Sequence, residues 1–449
     1  MTQLFALHSA YALATAAAAI DDGFIDANGA RILVPFNTAR VPETTIGLDE
    51  LSNLASLRAR FDRCEPLDGI LAPAHPSQWE PLEQDLPMLA RLFARAWDLD
   101  DDLELFVQSP QVAPARTLLS LFPHARITII GDGLMTYSPI RVALARTVVE
   151  RIGRVVYADI VPGIEPLVFG EAGATRVPVA PASFRAALAE TADADSTLDS
   201  LADGTPTALV LGQYLAALGL VSAAEEIGMQ EEMIDRAAQW RPRRIIFKPH
   251  PSAPPAITGA VRARANAHGV EFVEYRGALS AELVAERVDA VGIVAGFSTA
   301  LPTAQTLFGR EIASVGAETL LKRITPFENS NRVPLTIVDA LTRPASPYAD
   351  PEQLQLLIDA VGYAMQPQIA AHLRPRAEAL LRRLTVAERN RYFSPARLSA
   401  LRLPGAPPER ALRRMLRSAG GVGRVEELRL TAGAARRRAA RAWKAVRGA

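Results

Sequence analysis

At 449 residues, 49% of them hydrophobic and 22% charged, the chain is long enough for two or three domains with separate cores and has the composition of a soluble globular protein. Its one cysteine, Cys64, excludes an intrachain disulfide and fits a reducing, cytoplasmic setting. The net charge of zero hides an asymmetry: residues 374–449 carry 20 Lys plus Arg against five Glu, a net of about +15, which leaves about −15 on the rest.

The N-terminal run 4–20 is apolar but lacks a basic leader and is interrupted by His8, Ser9 and Tyr11. It reads as a first strand over 4–7, then Ser9 as the cap of a helix reaching about Ile20. Further strands are predicted at 31–35, 69–71, 103–106, 127–130, 155–159, 208–211, 245–247, 271–275, 290–294 and 336–338, and helices at 82–97, 139–152, 223–239 and 257–268. Ser222 and Glu225 have capping-box spacing. The apolar run 291–308 is broken by Gly296 and Pro302, so no segment reads as a membrane span. Alternating strands and helices predict an α/β protein with two Rossmann-like domains facing across a cleft: residues 1–200, then 201–373 after an acidic, small-residue stretch at 190–206. A basic helical C-terminal tail follows over 374–449.

Five sites share one trait: each follows an apolar strand at its C-terminal end or opens the helix after it, where open α/β sheets bind ligands. Ile245-Ile246-Phe247 delivers Lys248 and His250, each followed by a proline (Pro249, Pro251) that restricts the backbone, which suits a phosphate. Asp132, flanked by Gly131 and Gly133 at the end of 127–130, is a candidate general base, although Asp-Gly is also a common turn. Ser298 and Thr299 after strand 290–294 offer hydroxyls and a helix start to an anion, or simply cap that helix. Gln213 ends strand 208–211 near the cleft. Glu282, opening the helix after 271–275, can bond two ribose hydroxyls or serve as a first-turn acid. His8, Ser9 and Gly133 are weaker candidates on the acceptor side. No metal-ligand spacing is evident, so neither metal nor bound cofactor is expected and protein cations would neutralise the phosphate.

These residues resemble the bacterial sialyltransferases of the GT-B fold, and most closely the capsular polysialyltransferase family. The likeness rests on Gly131-Asp132-Gly133, Lys248-Pro249-His250-Pro251, Ser298-Thr299 and Leu211-Gly212-Gln213, and spans roughly residues 4–374. Gly131 stands where that family has the first acid of a pair. The resemblance implies an inverting, metal-independent glycosyltransferase that uses a CMP-activated nonulosonic acid such as sialic acid and builds capsule or envelope polysaccharide. Asp132 would be the base, and His250 the second catalytic residue, acting on the departing CMP phosphate through its charge more than through full proton transfer. Lys248, His250, Pro251, Ser298, Thr299 and Gln213 would hold CMP and its phosphate, and Glu282 the ribose.

Two alternatives remain at this stage: a transferase moving polyol phosphate from a CDP-alditol, as in teichoic-acid synthesis, and a nucleotide-sugar-binding protein without turnover. In the tail, arginines between 410 and 447 interleave with Leu412, Leu416, Leu430, Trp443 and Val446, a pattern for an anionic membrane surface rather than nucleic acid. A cytoplasmic protein peripheral to the inner face of the membrane is expected.

Overall fold

The computed structural model describes residues 1–27, 29–39, 46–192, 195–250 and 253–407. Residues 1–393 form one compact unit and 394–449 a second, in which helix Pro395–Leu401 is described. The first unit holds two parallel sheets. One contains β1 (Thr2–Leu7), β2 (Ala30–Pro35), β3 (Arg63–Cys64), β4 (Leu103–Val107), β5 (Arg126–Ile130), β6 (Ile152–Ala158) and β7 (Thr175–Val179), in the order 3-2-1-4-5-6-7. The other contains β8 (Thr207–Leu211), β9 (Arg244–Lys248), β10 (Glu271–Glu274), β11 (Gly292–Ala295) and β12 (Glu311–Ser314), in the order 10-9-8-11-12. Both are doubly wound. Their direction of winding reverses between β1 and β4 and between β8 and β11, and a crevice opens at such points at the carboxyl ends of the strands.

Central strands covered on both faces are mostly apolar, and β1, β4, β8 and β11 are buried along their whole length, with the buried polar side chains of Gln3 and Glu104 paired to the Asp26 carbonyl and to Thr128 and Arg154. Ser9 caps the helix Ala10–Asp21, whose alanines lie flat on the first sheet. The capping box at Ser222 and Glu225 opens the helix Ala223–Ala238.

Several elements depart from the sequence expectation. Residues 69–71 belong to a short helix, Leu67–Leu71, entered from Pro66 with Asp68 in its first turn. The β-branched run 336–338 lies inside the helix Arg332–Thr342, which is buried on every side from Arg332 to Ala340. Its polar residues Arg332, Thr336 and Asp339 are buried with the apolar ones, and packing on all sides overrides the β propensity of the short run Thr336-Ile337-Val338. Of the helix expected over 139–152, only Arg146–Val149 forms. Three strands went unpredicted: β3 has two residues, β12 has two apolar side chains, and β7 carries Pro178, which a sheet tolerates at the edge position β7 occupies.

A buried ionic knot closes the C-terminal end of the first unit. Arg391 donates two hydrogen bonds of 2.7 Å to the carboxylate of Asp339, and the Tyr392 hydroxyl donates a third at 2.7 Å. Asp339 is 2% exposed. Asp339→Ala leaves that guanidinium half-paired, with Glu318 as its remaining partner, and is expected to cost about 3 kcal/mol in urea unfolding. Among the described residues no helix is long and apolar enough to cross a membrane.

Candidate functional site

The site begins where β5 ends. Asp132 follows that strand, and its backbone N–H donates to the Thr136 hydroxyl at 2.7 Å, which closes the 3-10 turn Gly133–Tyr137. Gly133 has φ +52° and lies against the second sheet's crevice. A Cβ placed on it would sit 2.5 Å from Thr299 Cγ2 and 2.8 Å from Thr299 Oγ1. The Leu134 N–H donates to that same hydroxyl at 3.3 Å. The turn bearing Asp132 therefore docks directly on the Ser298-Thr299 turn, and the carboxyl ends of the two sheets meet there. Ser138 Oγ to the Ser330 carbonyl (2.6 Å) and Thr306 Oγ1 to the Ile160 carbonyl (2.9 Å) bridge the same seam.

Each crevice is tied by a glutamine. In the second sheet Gln213, just after β8, donates to the Phe297 carbonyl at 2.7 Å and accepts from the Phe297 N–H at 3.3 Å. Its amide thus fixes the loop that carries Ser298 and Thr299, and Gly296 is required because Gln213 fills the space of a side chain there. In the first sheet Gln108, just after β4, accepts from the His8 N–H at 3.0 Å and donates to Ser9 Oγ at 2.9 Å. Gln213 thus acts on the site through Phe297, and Ser9 is occupied as a helix cap, accepting also from the Ala12 N–H at 3.2 Å.

Lys248 ends β9, but its ammonium donates to the Gly277 carbonyl at 2.8 Å and lies 4.8 Å from the centre of the Tyr275 ring. Burial pulls its pKa below the usual lysine value, with the negative charge of Glu282 acting the other way. Glu282 is itself buried, which pushes its carboxyl upward. Tyr11, from the first helix of the chain, is raised by burial and by the nearby charges of Glu282 and Asp132, so these three groups share one region. His250 is exposed beyond β9, and Gly212 lets its backbone pass, since a Cβ at Gly212 would lie 3.0 Å from Pro249 Cα and 3.2 Å from the His250 nitrogen. Ser298 Oγ accepts from the Ala300 N–H at 3.2 Å at the start of helix Ala300–Phe308. Pro251 and the tail beyond residue 407 lie outside the described residues.

A cavity of about 160 Å³ opens beside Asp132, on the first sheet's side of the seam. Ser109, Gln111, Asp132, Thr136, Arg141 and Ser330 supply its polar groups, while Lys248, His250, Ser298 and Thr299 do not line it. In this arrangement Gly133 and Thr299 close the gap between Asp132 and the second-sheet candidates. Sequence reasoning missed Gln108, Ser109 and Thr136. The signal for the first two was the Gln-Ser-Pro that ends β4, a polar break at the same place as the other candidates.

Gly131 has a physical reason. A Cβ there would lie 2.8 Å from Thr136 Oγ1 and 2.9 Å from Tyr157 Cβ. Gly131→Asp, which would restore an acid pair, is expected instead to destabilise the chain by about 1–3 kcal/mol through overpacking, read as a lower Tm. Among the described residues no group of three or more His, Cys, Asp or Glu is placed to hold a metal ion.

The family described as alpha-2,8-polysialyltransferase (POLYST) matches residues 3–316. No curated protein sequence matches the chain. Among solved structures, the UDP-GlcNAc 2-epimerase from Neisseria meningitidis bound to UDP-GlcNAc is similar at 9% identity, over 83% of this chain and 94% of that one, with a TM-score of 0.46. The GT-B domain of the sialyltransferase from Photobacterium damselae is similar at 12% identity, over 76% and 96%, with a TM-score of 0.38. A glycosyltransferase from Rickettsia africae is similar at 9% identity, over 89% and 98%, with a TM-score of 0.39.

Proposed function

The chain belongs to the alpha-2,8-polysialyltransferase family, and from that premise we propose that this GT-B glycosyltransferase of sialyl type moves a nonulosonic acid from a CMP-activated donor to a glycan acceptor with inversion. Residues 1–200 serve as the acceptor domain and 201–373 as the donor domain. Asp132 removes the proton from the acceptor hydroxyl, which attacks the anomeric carbon on the face opposite CMP. The bond to the CMP phosphate breaks, and the leaving phosphate is held by His250, Ser298 and the start of helix Ala300–Phe308. Each charge-assisted hydrogen bond of that kind is worth about 1.5–3 kcal/mol. Glu282 faces the ribose. No bound cofactor is required in this scheme.

One observation carries the reading: the turn that presents Asp132 docks on the turn that presents Ser298 and Thr299, through Gly133. A base and an anion-binding helix start thereby meet at one seam from two sheets. The donor enters when this contact parts, and the contact re-forms beside it to exclude water. Lys248 and Gln213 act by holding the loops at Gly277 and Phe297. The basic tail brings the enzyme to an anionic membrane, at the cytoplasmic face, where capsule or envelope glycan grows.

The test is release of free CMP from CMP-sialic acid, with and without a sialylated glycan, against CDP-glycerol as the competing donor. CMP release that rises with acceptor supports the transfer. Consumption of CDP-glycerol with CMP-sialic acid untouched would assign the polyol-phosphate reaction instead, and binding of CMP without any turnover would assign a binding protein.

A further inference from the structure

We infer that Ser109 is an acceptor-binding residue and that His8 is the positioning residue that aims its hydroxyl, an inference that rests on the transferase reading above. His8, Ser109 and Asp132 follow the adjacent strands β1, β4 and β5 within two residues of their ends, with Ser109 after the middle one. Ser109 Oγ lies 3.2 Å from His8 Nε2. Ser109 also lines the same cavity of about 160 Å³ as Asp132. A polar contact and a place beside the base therefore coincide in a residue that no motif marked.

The local backbone argues against a plain loop serine. Ser109 has φ +56°, a left-handed conformation that side-chain-bearing residues adopt seldom and that clusters at functional sites. His8 is fixed on three sides: Gln108 accepts from its backbone N–H, its ring packs 5.3 Å from that of Phe36, and Ser109 meets Nε2. Burial holds its imidazole below the ordinary histidine pKa, with the charge of Asp132 opposing the shift. A neutral imidazole leaves the serine hydroxyl with hydrogen-bonding capacity to spare, since a hydroxyl has one donor and two acceptor sites and the ring uses one of them. Ser109 lines the same cavity as Asp132, the space where an acceptor sugar would meet the base. The attacking hydroxyl goes to Asp132 and its neighbour to Ser109. The ligand class is thus a polyhydroxylated acceptor terminus with a second hydroxyl close to the nucleophile.

Ser109→Gly separates this role from a structural one, because glycine removes the hydroxyl while relaxing the left-handed turn. In the full chain it is expected to raise the acceptor KM about tenfold, the worth of one such hydrogen bond, with donor KM and kcat within about twofold. The His8 ring resonances in a histidine-labelled sample shift with it. His8→Ala raises the acceptor KM similarly, and the double variant is no worse than either single one, since one interaction is lost in all three. An active parent chain whose Ser109→Gly variant keeps its acceptor KM overturns this inference alone. A parent chain with no turnover of CMP-sialic acid overturns the transferase reading and this inference with it.

Discussion

Asp132→Asn is expected to lower sialyl transfer by about a hundred- to ten-thousand-fold while leaving the thermal melt and CMP affinity near those of the parent chain. The isosteric amide keeps the volume at the end of β5 and loses only the ability to take a proton. The position itself is fixed by the backbone, through the Asp132 N–H on Thr136 and the docking of Gly133 on Thr299, so the substitution disturbs no contact that holds the turn. In the proposed scheme CMP is held from the second sheet, by His250 and Ser298, so CMP affinity serves as the internal control. Initial rates at saturating donor, with circular dichroism on the same sample, decide it. A variant that transfers within threefold of the parent would remove Asp132 from the chemistry and return Asp-Gly to an ordinary turn.

The placement of the site was legible because its residues obey a rule of topology rather than of pattern. In a doubly wound sheet every strand delivers its next residues to one edge, so polar residues directly after apolar runs can be collected without knowing the fold in detail. Asp132, Gln213, His250 and Ser298 were singled out as candidates in that way. Their division of labour was not legible. Gln213 and Lys248 stand at the right edge, yet their polar atoms are turned onto Phe297 and Gly277, and no spacing in the sequence distinguishes a side chain that grips a ligand from one that grips a loop. Ser109 stands at that same edge, in the polar Gln-Ser-Pro after β4, but its partner and its conformation were not legible. Its contact with His8 runs across 101 residues and its left-handed turn leaves no mark in composition. The helix Arg332–Thr342 was lost because the β-branched run Thr336-Ile337-Val338, taken alone, has the propensity of a strand, while packing around the whole segment makes it a helix.

Gly133 shows what the missing acid pair and the closed seam have in common, and it yields the second large effect. Gly131 and Gly133 flank Asp132 for different reasons: the first packs inward against Thr136 and Tyr157, the second outward against Thr299. At Gly133 two penalties add. Its φ of +52° disfavours any β-branched side chain, and the Cβ itself would overlap Thr299, a residue of the opposite sheet. Gly133→Val can be accommodated only by parting the two turns. A shift of about 1 Å between a base and its reacting partner costs about a hundredfold in rate, so transfer is expected to fall at least that far. Since the strain falls on an exit turn and the seam, not on either core, both sheets should still form. The distinguishing readout is rescue. Thr299→Gly, placed in the Gly133→Val background, removes the overlapping methyl and hydroxyl and should recover part of the lost rate if contact across the seam sets the position of Asp132. Rescue that fails although both sheets are intact would mean that the Gly133 contact does not set that position, and the carboxylate would then have to find its acceptor by some route other than closure on Thr299.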